Sequence, residues 1–157
     1  MLRYFLRVVG FVCVIFSAMT QAANSTNMGV SATVLSKSNC KFPNGSIALA
    51  FGAIDPSGSA NAVASSTTTF TCAGSAATAT FLINQDGGLY NASGNRLQHA
   101  TVAGTFLPYT LSLTPTTGTV PKNVTQTLTL GGMIAPADYQ QAIAGNYADT
   151  VTLTISP

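Results

Sequence analysis

The 157 residues carry six Lys and Arg against four Asp, with no Glu and no Trp. So sparse a charge set offers no cluster of cations to neutralise phosphates, which argues against a nucleic-acid partner. A single His and four scattered carboxylates leave little material for acid–base chemistry.

Residues 1–22 read as a secretory signal peptide. Arg3 and Arg7 lead into an apolar run from Val8 to Ala18, interrupted only by Gly10 and Ser17, and Thr20-Gln21-Ala22 supplies the small residues a signal peptidase reads. The run is shorter than the roughly 20 residues a bilayer span needs, so cleavage near Ala22 or Ala23 is expected and stable membrane insertion is not. Removing the segment takes two cations away. Lys37, Lys41, Arg96 and Lys122 then balance Asp55, Asp86, Asp138 and Asp149, four against four, for a net charge of zero. A neutral surface removes the repulsion that keeps monomers apart.

Cys13 leaves with the signal, and Cys40 and Cys72 remain in an exported chain, where a disulfide forms and persists. Closing a loop of about 33 residues stabilises by roughly 3 to 4 kcal/mol on the chain-entropy account. The mature chain of about 135 residues is the size of one domain.

Beyond the signal, strand patterns recur between turn residues. Met28, Val30, Ala32 and Val34 alternate, as do Ile47, Leu49 and Phe51 after the Pro43-Asn44-Gly45 turn. Phe70 and Cys72 sit in a threonine-rich run behind Asp55-Pro56-Ser57-Gly58. "ATATFLINQDGGLYNA" predicts a strand, a hairpin turn at Asp86-Gly87-Gly88 and a return. "LPYTLSLT" puts Leu107, Tyr109, Leu111 and Leu113 on one face, and "VTQTLTLGG" places Val124, Leu128 and Leu130 at even spacing. "APADYQQAIAG" fits a helical turn opened by Pro136 or an extended loop. The last run, "TVTLTIS", alternates Val151, Leu153 and Ile155 with threonines.

About seven short strands with one long-range disulfide describe an all-β, immunoglobulin-like sandwich, with a closed barrel as the alternative. The aspartates beside Pro56, Gly87, Pro136 and Thr150 read as turn formers, and His99 as a structural side chain rather than a catalytic base. "NQDGG" lacks the repeated Asp-x-Asp spacing of a calcium loop, so neither metal nor cofactor is expected. The chain reads as a non-enzyme.

If "TVTLTIS" is the penultimate strand of such a sandwich, its outer edge lacks the last strand. Val151, Leu153 and Ile155 would then line one side of an acceptor groove. The polar leader "ANSTNMGVSATV" fits a segment that adds a strand to another sheet, with Met28, Val30, Ala32 and Val34 as donor positions, although this run could instead be the domain's own first strand.

"FTCAGSA", "LPYTLSLT" and above all "AGNYADTVTLTIS" resemble the spore coat protein U domain family, which includes subunits of archaic chaperone-usher pili. The resemblance runs from about Val30 to Ser156, and its most specific part is Gly145, Tyr147, Asp149, Thr150 and Val151 together with the early cysteine pair. It implies an incomplete immunoglobulin-like fold completed by a donor strand, first from a periplasmic chaperone and then from the N-terminal segment of the next subunit, at an outer-membrane usher. The expected organisation is a signal peptide over 1–22, a candidate donor segment over 23–34 and a pilin-like domain over 35–157. The expected function is a structural subunit of a surface fimbria serving adhesion and biofilm growth. The alternative is a self-contained secreted coat or matrix protein whose N-terminal segment folds back into its own groove.

Overall fold

The computed structural model describes residues 26–32 and 38–157. The chain divides into two units, Met1–Thr33 and Val34–Pro157. In the first, residues 26–32 adopt neither helix nor strand, and Met28 and Val30 are each 83% exposed. The sequence-based strand over Met28 to Val34 is therefore not formed across its described part. Residues 1–25 and Val34 lie outside the described residues, and with them the signal-peptide expectation.

The second unit contains β1 (Ser38–Lys41), β2 (Ala62–Gly74), β3 (Thr78–Gln85), β4 (Arg96–His99), β5 (Phe106–Pro108), β6 (Thr110–Thr114), β7 (Thr117–Pro121), β8 (Thr125–Ile134), α1 (Pro136–Tyr139), β9 (Tyr147–Ala148) and β10 (Leu153–Ser156). Every pairing is antiparallel. One sheet runs β1-β2-β8-β6, a second β10-β3-β7, and a small third β5-β4-β9. There are more strands than the sequence suggests: β1, β7 and β9 form in short segments without a strand pattern, and one alternating run breaks where it changes sheet. "LPYTLSLT" does so at Tyr109: β5 pairs with β4, and β6 with β8.

The first two sheets face each other. Phe70, Cys72 and Leu128 from one meet Ala79, Phe81, Ile83 and Val120 from the other in a buried cluster, with Phe70 and Phe81 rings 4.7 Å apart. Alternation made this core legible: β2 and β8 bury every second residue toward it. Val124, expected on the same apolar face, precedes β8 and is 45% exposed. Cys40 and Cys72 face each other across β1 and β2 and are disulfide-bonded. A second cluster gathers Leu107, Tyr109, Ile134 and Tyr139, joined by Phe51, Leu111, Tyr147 and Val151.

An immunoglobulin sandwich of constant type holds strands A-B-E-D in one sheet and C-F-G in the other. Here β1, β2, β8 and β6 stand in the A, B, E and D places, and β3 and β10 in the C and F places. Tyr147, at the start of the F segment, donates its hydroxyl to Ile143 O at 2.8 Å, the tyrosine-corner contact of this fold. The chain is an all-β, immunoglobulin-like sandwich. Among the described residues no strand occupies the G place beside β10.

Two expectations are corrected. Asp86-Gly87-Gly88 does not turn a hairpin: β3 pairs with β10 and β7, and residues 86–95 form a loop. Asp86 causes this, since its Oδ1 accepts the N–H groups of Gly88 at 2.9 Å and of Thr152, 66 residues away, at 3.0 Å. Ile47, Leu49 and Phe51 do not form a strand either. They keep the alternating burial of one, but the backbone of residues 42–54 makes no hydrogen bond within the described structure.

Candidate acceptor groove

A groove of about 390 Å³ opens between residues 42–51 on one side and 149–153 on the other. Ile47, Leu49 and Phe51 form the first wall, Val151 and Leu153 the second, and Tyr109, Leu111 and Leu130 the floor. Both walls are half-buried along their apolar positions, where a strand inside a completed sandwich would be fully buried.

The second wall also exposes backbone. Asp86 N–H donates to Thr152 O at 3.2 Å and Leu89 N–H to Thr150 O at 3.0 Å, and β10 continues that register against β3. Because bonded and non-bonded pairs alternate in an antiparallel ladder, Thr152, Thr154 and Ser156 turn their backbone groups toward β3. Val151, Leu153 and Ile155 turn theirs outward, where no described strand meets them. Such an edge is a template for another extended chain.

Gly145, Tyr147 and Asp149 of the terminal motif hold this wall in place. Asp149 Oδ2 accepts the Tyr109 hydroxyl at 2.8 Å, while its Oδ1 accepts the N–H groups of Leu89 at 3.0 Å and Thr150 at 2.8 Å. Burial, then the hydrogen bond and charge of Asp149, push the Tyr109 phenol well above its ordinary value, so it stays a neutral donor. The Gly88 amide, and then the backbone and hydroxyl of Thr152, hold the Asp86 carboxyl below the usual range.

Gly145 passes against the imidazole of His99, where an added Cβ would overlap Nε2. His99 is 6% exposed. Its Nδ1 accepts the N–H groups of Thr101 at 3.2 Å and Val102 at 3.1 Å, which leaves the proton on Nε2 to donate to Ala144 O at 3.2 Å. The Tyr147 ring meets the imidazole edge-on with centroids 4.9 Å apart. This histidine organises the turn before the second wall.

The structure therefore brings Val151 and Leu153 to the groove and packs Ile155 against the first core cluster. Met28, Val30 and Ala32 are exposed in their own unit. Tyr109, Leu111 and Leu130, which the sequence reading gave only strand roles, are the floor. Among the described residues no group of three or more His, Cys, Asp or Glu could hold a metal ion, and no helix is long and apolar enough to cross a membrane.

A solved structure concerned with a chaperone–tip adhesin complex in the biogenesis of CFA/I fimbriae is similar to this chain at 15% identity and a TM-score of 0.43. The alignment covers 77% of this chain and 41% of that one, so this chain spans less than half of its length. No curated protein matches the chain. The Spore Coat Protein U domain matches residues 24–154, taking in both walls of the groove, the disulfide and the whole terminal motif. With nearly the entire chain inside that match, this structural, non-enzymatic protein belongs to the spore coat protein U domain family.

Proposed function

We propose that the chain is a structural subunit of a surface fimbria, assembled by donor-strand exchange and serving adhesion and biofilm formation. In this reading residues 1–22 direct export and are removed. A periplasmic chaperone first lends a strand to the groove, and residues 23–34 of a neighbouring subunit then replace it at the outer-membrane usher. The observation that carries the reading is the outward-facing backbone of Val151, Leu153 and Ile155 beside an apolar groove.

The dimensions support it. A donor of about ten residues spans roughly 33 Å, and burying Met28, Val30 and Val34 contributes roughly 5 to 9 kcal/mol at about 1.5 to 3 kcal/mol each. A ladder along β10 adds backbone hydrogen bonds, each worth about 1 kcal/mol net. Ordering the donor and losing its free motion offset part of that sum. The remainder suits a junction held without covalent links.

The test is polymerisation of a chain lacking residues 23–34. The deletion should leave the groove able to take a synthetic 23–34 peptide while the chain forms no fibres. Normal fibres from the deleted chain would end the donor assignment. Stable, soluble monomers of the full chain, expressed without any chaperone, would favour the self-contained coat protein instead.

A further inference from the structure

Residues 42–54 raise a separate question, because a run that alternates like a strand lies beside a strand edge without pairing to it. β1 pairs with β2 only over Thr71–Gly74. The rest of that edge of β2, residues 62–70, has no partner among the described residues, while its other edge is paired with β8. Meanwhile Leu49 and Phe51 lie over Gly132 on the inner face of the same sheet. A Cβ on Gly132 would meet Phe51 Cζ at 2.7 Å and Leu49 Cδ2 at 3.0 Å.

The sequence explains why the pairing stops. Cys40 and Phe42 point inward at even numbers, whereas Ile47, Leu49 and Phe51 point inward at odd ones. Continuing the β1–β2 register unchanged would match Ala48 with Ala64 and turn Ile47, Leu49 and Phe51 to solvent. One extra residue, at Asn44-Gly45, corrects the parity. The corrected register sets Ile47 opposite Ser66, Leu49 opposite Ala64 and Phe51 opposite Ala62, with all three apolar side chains still inward.

Resting on the reading of the groove as a strand acceptor, we infer that residues 46–52 are a strap that zips onto the open edge of β2 when a strand enters. In the structure Ile47, Leu49 and Phe51 lie against the apolar residues Tyr109, Leu111 and Leu130 of the floor. An entering strand covers that floor itself, which lets the strap settle against β2 through a bulge at Asn44-Gly45. The Cα atoms of Cys40 and Cys72 are 4.0 Å apart, the spacing of a non-bonded pair, so the odd residues of β2 direct their backbone groups to this edge. In the zipped register Ala48 bonds Ser65 and Ala50 bonds Val63. The backbone groups of Ile47, Leu49 and Phe51 then face the entering strand.

Residue-resolved hydrogen exchange of the purified chain, with and without excess 23–34 peptide, tests this. The peptide should slow the Leu153 and Ile155 amides by groove binding and also slow Val63 and Ser65, which it does not touch, by about tenfold or more. Slowing at Leu153 and Ile155 with Val63 and Ser65 unchanged would overturn the strap and leave the acceptor groove standing. No slowing at either set would overturn both. Val63 and Ser65 already slow without peptide would show a strap closed from the start, and that also refutes the switch.

Discussion

Replacing Asp149 by alanine takes one acceptor from three donors at once, and their surroundings set what each loss costs. The Leu89 and Thr150 amides are exposed, so water replaces the carboxylate and little is lost. The Tyr109 hydroxyl belongs to a side chain only 9% exposed and is stranded, at about 1 to 3 kcal/mol. Together the change should destabilise by roughly 1 to 3 kcal/mol, nearly all of it from the hydroxyl. Tyr109→Phe removes the donor and leaves Asp149 its two amides, at about 0.5 to 1.5 kcal/mol. In the double variant no hydroxyl is stranded, so its loss should fall short of the sum by roughly 1 to 2 kcal/mol. Urea unfolding of the four proteins reads this directly. Strict additivity, with a coupling below about 0.3 kcal/mol, would refute the claim that this bond fixes the second wall. Alkaline titration gives an independent check. Because the folded phenol is held above its unfolded value of about 10, its contribution is complete below pH 10 and is lost as pH rises beyond it. Wild type should therefore lose stability above pH 10 more steeply than Tyr109→Phe.

Gly145→Ala should cost roughly 1 to 3 kcal/mol, since the new Cβ overlaps His99 Nε2 and breaks its bond to Ala144 O. A lost edge contact between His99 and Tyr147 should accompany it in aromatic NMR shifts, and an unchanged melting temperature would contradict the packing described. Asp86 makes an acid-side prediction. Its folded carboxyl lies below its unfolded value of about 3.9, so its stabilisation is present above that pH and lost as pH falls through the folded value. The stability gap between wild type and Asp86→Ala should thus be constant near neutrality and shrink below about pH 4. A gap unchanged at pH 2.5 would place the effect elsewhere.

Where alternation decides both burial and pairing, the sequence was enough to find the strand. Phe70 and Cys72 in β2, and Leu128 and Leu130 in β8, fall inward as their spacing predicts. The disulfide followed from export and an even cysteine count, and the terminal motif pointed to the second wall. Ile47, Leu49 and Phe51 show the limit of that reasoning: period two fixes which face is buried but not whether a neighbour completes the ladder. The Asp86 turn failed for a related reason. Its second partner, Thr152, lies 66 residues on, and no local pattern carries that distance. Tyr109 hid its role because an uninterrupted alternation gives no sign of where it leaves one sheet for another. The change of parity between Phe42 and Ile47 emerges only from the packing of Phe42 and the position of β2.

The Cys40–Cys72 bond, treated above as loop closure, also defines a ring. Residues 42–54 and the open edge of β2 lie inside the same covalent circuit, with a sequence separation of 32 between its cysteines. The two halves of that ring therefore meet at an effective concentration set by a short tether, of millimolar order, whatever the concentration of the protein. Reduction would open the ring at its far side and leave the strap joined to β2 through residues 53–61 alone.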